Sequence, residues 1–168
     1  MVDSLSLYVV DANILIDLYV GGLIQEFFVL PYRFAAPDVI IAELQEPDGH
    51  TLTTYGLQSA ELSGGQLLEV TVLRGRHLAL SVEDLFALVL ARALKVPLLT
   101  GDRRLRELAS QQGVPVYGTL WVLDELVRLG VVAPARAAEA LERMLTHGTR
   151  LPRAECQKRL ERWKAQGV

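Results

Sequence analysis

Leu5-Ser6-Leu7-Tyr8-Val9-Val10-Asp11-Ala12-Asn13 is a nearly unbroken apolar run that stops at an acid. Apolar side chains at successive positions, rather than alternate ones, mark a strand buried on both faces. Ile14 to Tyr19 then reads as a helix, interrupted at Gly21-Gly22. The same grammar returns at Val96-Pro97-Leu98-Leu99-Thr100, where Gly101-Asp102 turns the chain into a helix over Arg103 to Gln112. Two buried strands, each ending in an acid and feeding a helix, imply a layered α/β protein with a mostly parallel sheet. Ligands of such sheets bind beyond the carboxyl ends of the strands, where Asp11 and Asp102 stand.

The remaining elements are read outward from these two. A helical piece is expected over residues 23–29, and a short strand near Phe34. Pro37-Asp38 opens a helix from Val39 to about Glu46, with proline where no amide donor is needed, and Pro47-Asp48-Gly49 ends it. Residues 51–62 read as a helix, Ser63-Gly64-Gly65 as a break, and Leu67 to Leu73 as an alternating strand. Ser81-Val82-Glu83-Asp84 has the form of a capping box and opens a helix to about Leu94. Val114 to Tyr117 reads as a last short strand. Helices over residues 119–129, 134–147 and 153–165 follow, started by Pro134 and Pro152 and stopped by Gly130 and Gly148.

The 168 residues suit one domain. Cys156 is the only cysteine, so no internal disulfide is possible and a reducing cytoplasm is the expected location. No run of about 18 apolar residues suggests a membrane span, and no basic segment leads into an apolar one as in a secretory leader. The net charge of −3 is unevenly spread. Residues 1–73 hold ten acids and one basic residue, Arg33, whereas residues 74–168 hold sixteen basic residues and ten acids. Folding can therefore set a basic surface beside an acidic pocket, though a uniformly basic nucleic-acid binder is excluded.

Each acid also has an ordinary structural reading. Asp11 and Asp102 suit helix N-caps. Asp84 closes the capping box at Ser81. Glu43, among Val39, Ile40, Ile41, Ala42 and Leu44, faces either solvent or a pocket. Asn13, the only asparagine, and Thr100 are placed to orient an acid or a water. Arg103 and Arg104 either hold phosphates or form an exposed first helical turn.

Taken together, four segments resemble the acidic motifs of PIN-domain nucleases. They are Val9-Val10-Asp11-Ala12-Asn13, Pro37-Asp38-Val39-Ile40-Ile41-Ala42-Glu43-Leu44, Ser81-Val82-Glu83-Asp84-Leu85 through Ala91, and Leu98-Leu99-Thr100-Gly101-Asp102-Arg103-Arg104-Leu105. The resemblance covers about residues 5–130. It implies a three-layer α/β/α PIN-like fold over residues 1–130, with residues 131–168 as a C-terminal helical extension packed on the same domain. It also implies a metal-dependent ribonuclease that uses one or two Mg²⁺ or Mn²⁺ ions, held by Asp11, Glu43, Asp84 and Asp102. Many small members are VapC-like toxins restrained by an antitoxin protein. The helical tail departs from the shortest of these and resembles another subgroup. Leu151, Cys156, Leu160 and Trp163 give the tail an apolar stripe, which either docks on the domain itself or meets a partner, a second copy included.

Carboxylates without histidine or cysteine suit hard cations. His50, His77 and His147 show no ligand spacing. Clustered carboxylates repel one another, and a bound cation relieves that repulsion. In the expected mechanism Asp11 and Asp102 hold the attacking water while Glu43 and Asp84 complete the metal sites, and Arg103 and Arg104 hold RNA phosphates. A non-catalytic RNA- or protein-binding domain of the same fold is the main rival. A phosphate-receiver or phosphatase-like domain is disfavoured, because Asn13 stands where a paired acid belongs and no lysine ends a late strand.

Overall fold

The computed structural model describes residues 5–167, so residues 1–4 and 168, the outermost positions of the expected bounds, lie outside it. The chain runs β1 (Leu7–Val10), α1 (Ala12–Val20), α2 (Ile24–Phe27), β2 (Arg33–Pro37), α3 (Asp38–Glu43), α4 (Gly49–Tyr55), β3 (Gln58–Ala60) and α5 (Gly64–Arg76). It continues α6 (Val82–Leu94), β4 (Leu98–Leu99), α7 (Arg103–Gln111), β5 (Val116–Tyr117), α8 (Thr119–Arg128), α9 (Pro134–Thr146) and α10 (Arg153–Gln166).

The five strands form one sheet in the order β3-β2-β1-β4-β5, with every pairing parallel. Parallel strands need crossover connections, and helices supply them on both faces. Adjacent residues of the central strands serve opposite faces. Val10 and Leu99 pack with α1, α8, α9 and α10, while Val9 and Leu98 pack with α5, α6 and α7. The sheet is thus sandwiched as an α/β/α stack. From β1 the chain travels one way to β2 and β3, then returns past β1 to β4 and β5. The crevice beyond the carboxyl ends of β1 and β4 is therefore the topological switch point.

Three local expectations are corrected. Leu67–Leu73 is not a strand but the body of α5, which starts at a reciprocal capping box between Ser63 and Gln66. Val70 and Leu73, three apart, are buried, whereas Leu67, Leu68 and Val72 stay exposed; this is helical spacing inside a run that also alternates. The helix expected over 51–62 stops at Tyr55, and Gln58–Ala60 adds the edge strand β3. The helix expected to reach Glu46 ends at Glu43, and Asp48 instead caps α4 through Thr51 N at 2.9 Å. Gly49 follows that cap because a Cβ there would lie 1.8 Å from the Ile41 carbonyl oxygen.

The tail belongs to the main core. Ala137, Ala138, Leu141, Met144, Cys156 and Trp163 are buried in one cluster with Ile14, Leu15 and Phe34. No helix among the described residues is long and apolar enough to cross a membrane.

Candidate functional site

Strand register builds the centre of the site. Val9 pairs with Leu98 and Val10 with Leu99, so one further step sets Asp11 beside Thr100. Thr100 Oγ1 donates to Asp11 Oδ2 at 2.8 Å and accepts from the Asp102 backbone amide at 3.1 Å. One hydroxyl thereby fixes the carboxylate after β1 and the turn after β4. Both residues are sealed from water, Asp11 at 2% exposure and Thr100 at 0%.

Asp11 occupies the N-cap position of α1, yet its side chain makes no cap hydrogen bond. Its carboxyl is pushed from the ordinary 3.8 up to about 7. Burial is the main cause and the Asp84 charge comes next; hydrogen bonds from Thr100 and the Ala12 amide act the other way, and Asp102 raises it further. Asp84 and Asp102 therefore stand close enough for their charges to act on the Asp11 carboxyl. Asp84 arrives because α6 runs back against the strands, so its first turn lies at their carboxyl edge. Asp84 Oδ2 accepts from Ser81 N at 3.0 Å, and Asp102 Oδ1 accepts from Leu105 N at 2.8 Å. The structural role read for each is real, but it engages one oxygen only. Among the described residues the second oxygen of each carries no protein hydrogen bond.

Glu43 behaves differently. It is the exposed last residue of α3, and it is not among the charges that shift Asp11. Among the described residues no three His, Cys, Asp or Glu side chains converge closely enough to hold a metal ion as they stand. Three acids are neighbours, then, without a closed cage.

A cleft of about 1020 Å³ opens beside this centre, lined by Asn13, Asp17, Asp102, Arg103, Arg104 and Arg150 among others, though not by Asp11, Asp84 or Glu43. Asn13, Arg103 and Arg104 are exposed there, and Arg103 pairs with Glu107 at 3.2 Å. Asp17 and Arg150 are among the lining residues that no sequence motif marks. Asp17 accepts from Thr119 Oγ1 at 2.9 Å and from Thr149 Oγ1 at 3.3 Å, and burial raises its carboxyl above the usual range. It lies one helical turn after Asn13, so it shares that residue's face of α1. Arg150 comes from the α9–α10 connection, and nothing in the sequence tied it to Asp102.

The fold and site define a class: an open parallel α/β protein with a buried acid and two neighbouring acids at its switch point. A family model described as DUF3368, PIN domain, matches residues 7–165, and the chain belongs to that PIN-domain family. The match runs through α9 and α10. PIN domains are typically nucleases and typically use divalent metals. No curated protein matches the chain.

Proposed function

We propose that this PIN domain is a Mg²⁺- or Mn²⁺-dependent endoribonuclease centred on Asp11. The observation that carries the reading is a sealed carboxylate that caps nothing and feels the charges of two further acids. A helix cap needs neither that burial nor that repulsion. The donor set suits a hard divalent cation in its chemistry: carboxylate oxygens only, with one oxygen each of Asp84 and Asp102 uncommitted among the described residues. Asp11, Asp84 and Asp102 would hold the ion or ions, and Glu43 joins them on the resemblance alone. When bound, such cations supply the positive charge that a phosphodiester and its leaving alkoxide require.

The chain's own groups do the rest. The Thr100 hydroxyl holds Asp11 Oδ2 and so aims the other oxygen. The caps at Ser81 and Leu105 fix the angles at which Asp84 and Asp102 approach. Asn13 stands on the cleft wall to orient water or phosphate, and Arg103 and Arg104 offer guanidinium forks to phosphate oxygens. A toxin role, an antitoxin partner, a homodimer and a cytoplasmic location rest on resemblance or composition, and no feature of the site favours them.

The test is cleavage of end-labelled RNA by the full chain. Cleavage is expected with Mg²⁺ or Mn²⁺, absent with chelator, and reduced at least about 100-fold in Asp11→Asn. Equal rates in the wild type and Asp11→Asn would remove Asp11 from the chemistry. RNA binding without cleavage under any divalent cation would favour the non-catalytic rival.

A further inference from the structure

A second groove of about 920 Å³ adjoins the first, and both are lined by Gly101, Arg103, Glu107, Arg150 and Leu151. The space beside Asp102 therefore continues along the β5 edge of the sheet. This stretch is of another character. Its walls include Tyr117, Trp121, Arg106 and Arg159. Tyr117 and Trp121 are half-buried, with ring centroids 4.7 Å apart and planes 30° from parallel. Tyr8 and Tyr32 also pack against Trp121, at 5.3 and 6.1 Å, so the aromatic rings beside the groove are held in place.

The charges divide into used and unused. Glu155 is engaged by Lys158 and Arg159, Arg159 by Asp124, and Glu107 by Arg103. Arg106 and Arg150 are exposed and pair with no carboxylate among the described residues. Arg106 lies across the backbone that follows Tyr117: a Cβ built on Gly118 would come 3.3 Å from its Nη1. A free guanidinium thus sits next to the aromatic pair, and a second, Arg150, stands where the two grooves join.

We infer that this groove is a subsite for an unpaired nucleotide flanking the cut, with a base against Tyr117 and Trp121 and phosphates on Arg106 and Arg150. The inference rests on the nuclease reading for the position of the cut. A flat apolar group beside a repeating anion is what aromatic rings beside two free guanidiniums complement. A paired base is excluded, since its faces are already stacked within a duplex.

The test is binding of a short fluorescent RNA strand to the full wild-type chain in chelator, where no cleavage occurs. Intrinsic tryptophan emission is followed in parallel. Trp163 is 1% exposed, so quenching reports Trp121, and Trp121→Phe must abolish it. The single strand is expected to quench, and the same sequence as a duplex is not. An abasic strand should bind about tenfold more weakly. Arg106→Gln and Arg150→Gln should each weaken binding and lower the slope of log affinity against log salt by about 0.7. Unchanged affinity and slope in both arginine variants would overturn the inference, as would equal quenching by abasic RNA or by a duplex. So would a groove that takes extended peptides and no RNA. Cleavage that depends on Asp11, with binding indifferent to Arg106 and Arg150, sinks this subsite and leaves the nuclease reading intact. Base-dependent binding with no cleavage does the reverse.

Discussion

Ionising Asp11 places a charge where water scarcely reaches, within the influence of the Asp84 and Asp102 charges. Its carboxyl titrates near 7 in the folded chain and near 3.8 when exposed. A raised carboxyl pKa means that folding favours the protonated form, so this contribution is fully present below the unfolded value. It is lost as pH rises through the folded value. The metal-free protein should therefore lose stability between about pH 4 and pH 7, by on the order of 4 kcal/mol at most. Urea unfolding across that range checks the slope, and Asp11→Asn should flatten it. A profile with the same slope in both proteins would mean that Asp11 is not the group titrating. Asp11 and Asp102 were legible in the sequence because each ends a buried strand, and β1–β4 register then makes them neighbours. Asp17 was less visible because its meaning depends on Thr119 and Thr149, which are remote in the chain.

At the level of elements, one capping box does two jobs. Ser81 and Asp84 exchange hydrogen bonds across the first turn of α6, and that turn presents Asp84 to Asp11. The two jobs separate by substitution. Ser81→Ala removes the hydroxyl that accepts from Asp84 N and should cost about 1 kcal/mol in urea unfolding. Asp84→Asn retains an oxygen for Ser81 N, so stability should change little while RNA cleavage falls sharply. Large destabilisation by Asp84→Asn with cleavage intact would leave the residue only its cap. Local signals of this kind were readable: caps, glycine stops and apolar runs located most helices. They failed where two periods overlap or where burial is slight. Leu67-Leu68-Glu69-Val70-Thr71-Val72-Leu73 alternates well enough to pass for a strand, but Ser63 and Gln66 nucleate a helix that buries Val70 and Leu73 against α6. Gln58–Ala60 has no apolar signature, because an edge strand of three residues hides little from water.

Across the whole molecule, the tail is structural before it is anything else. Trp163 and Cys156 close the same core as β1 and α1, so a chain ending at residue 130 would expose a large apolar surface. Such a truncation should fail to unfold cooperatively on heating; a sharp transition near that of the full chain would show that the first 130 residues suffice. Cys156 and Trp163 are the buried residues of α10. The placement of Arg150 on the cleft wall that it shares with Asp102 was not legible in the sequence, because it depends on how the α9–α10 connection reaches that cleft. The layered parallel sheet gathers these distant parts at one crevice, and the central claim is that the crevice holds a divalent cation. Electron paramagnetic resonance of Mn²⁺ titrated into the full chain tests it most directly. Binding of one or two ions is expected, displaced by Mg²⁺ and lost in Asp11→Asn. Binding of equal strength in Asp11→Asn, or none in the wild type, would contradict it.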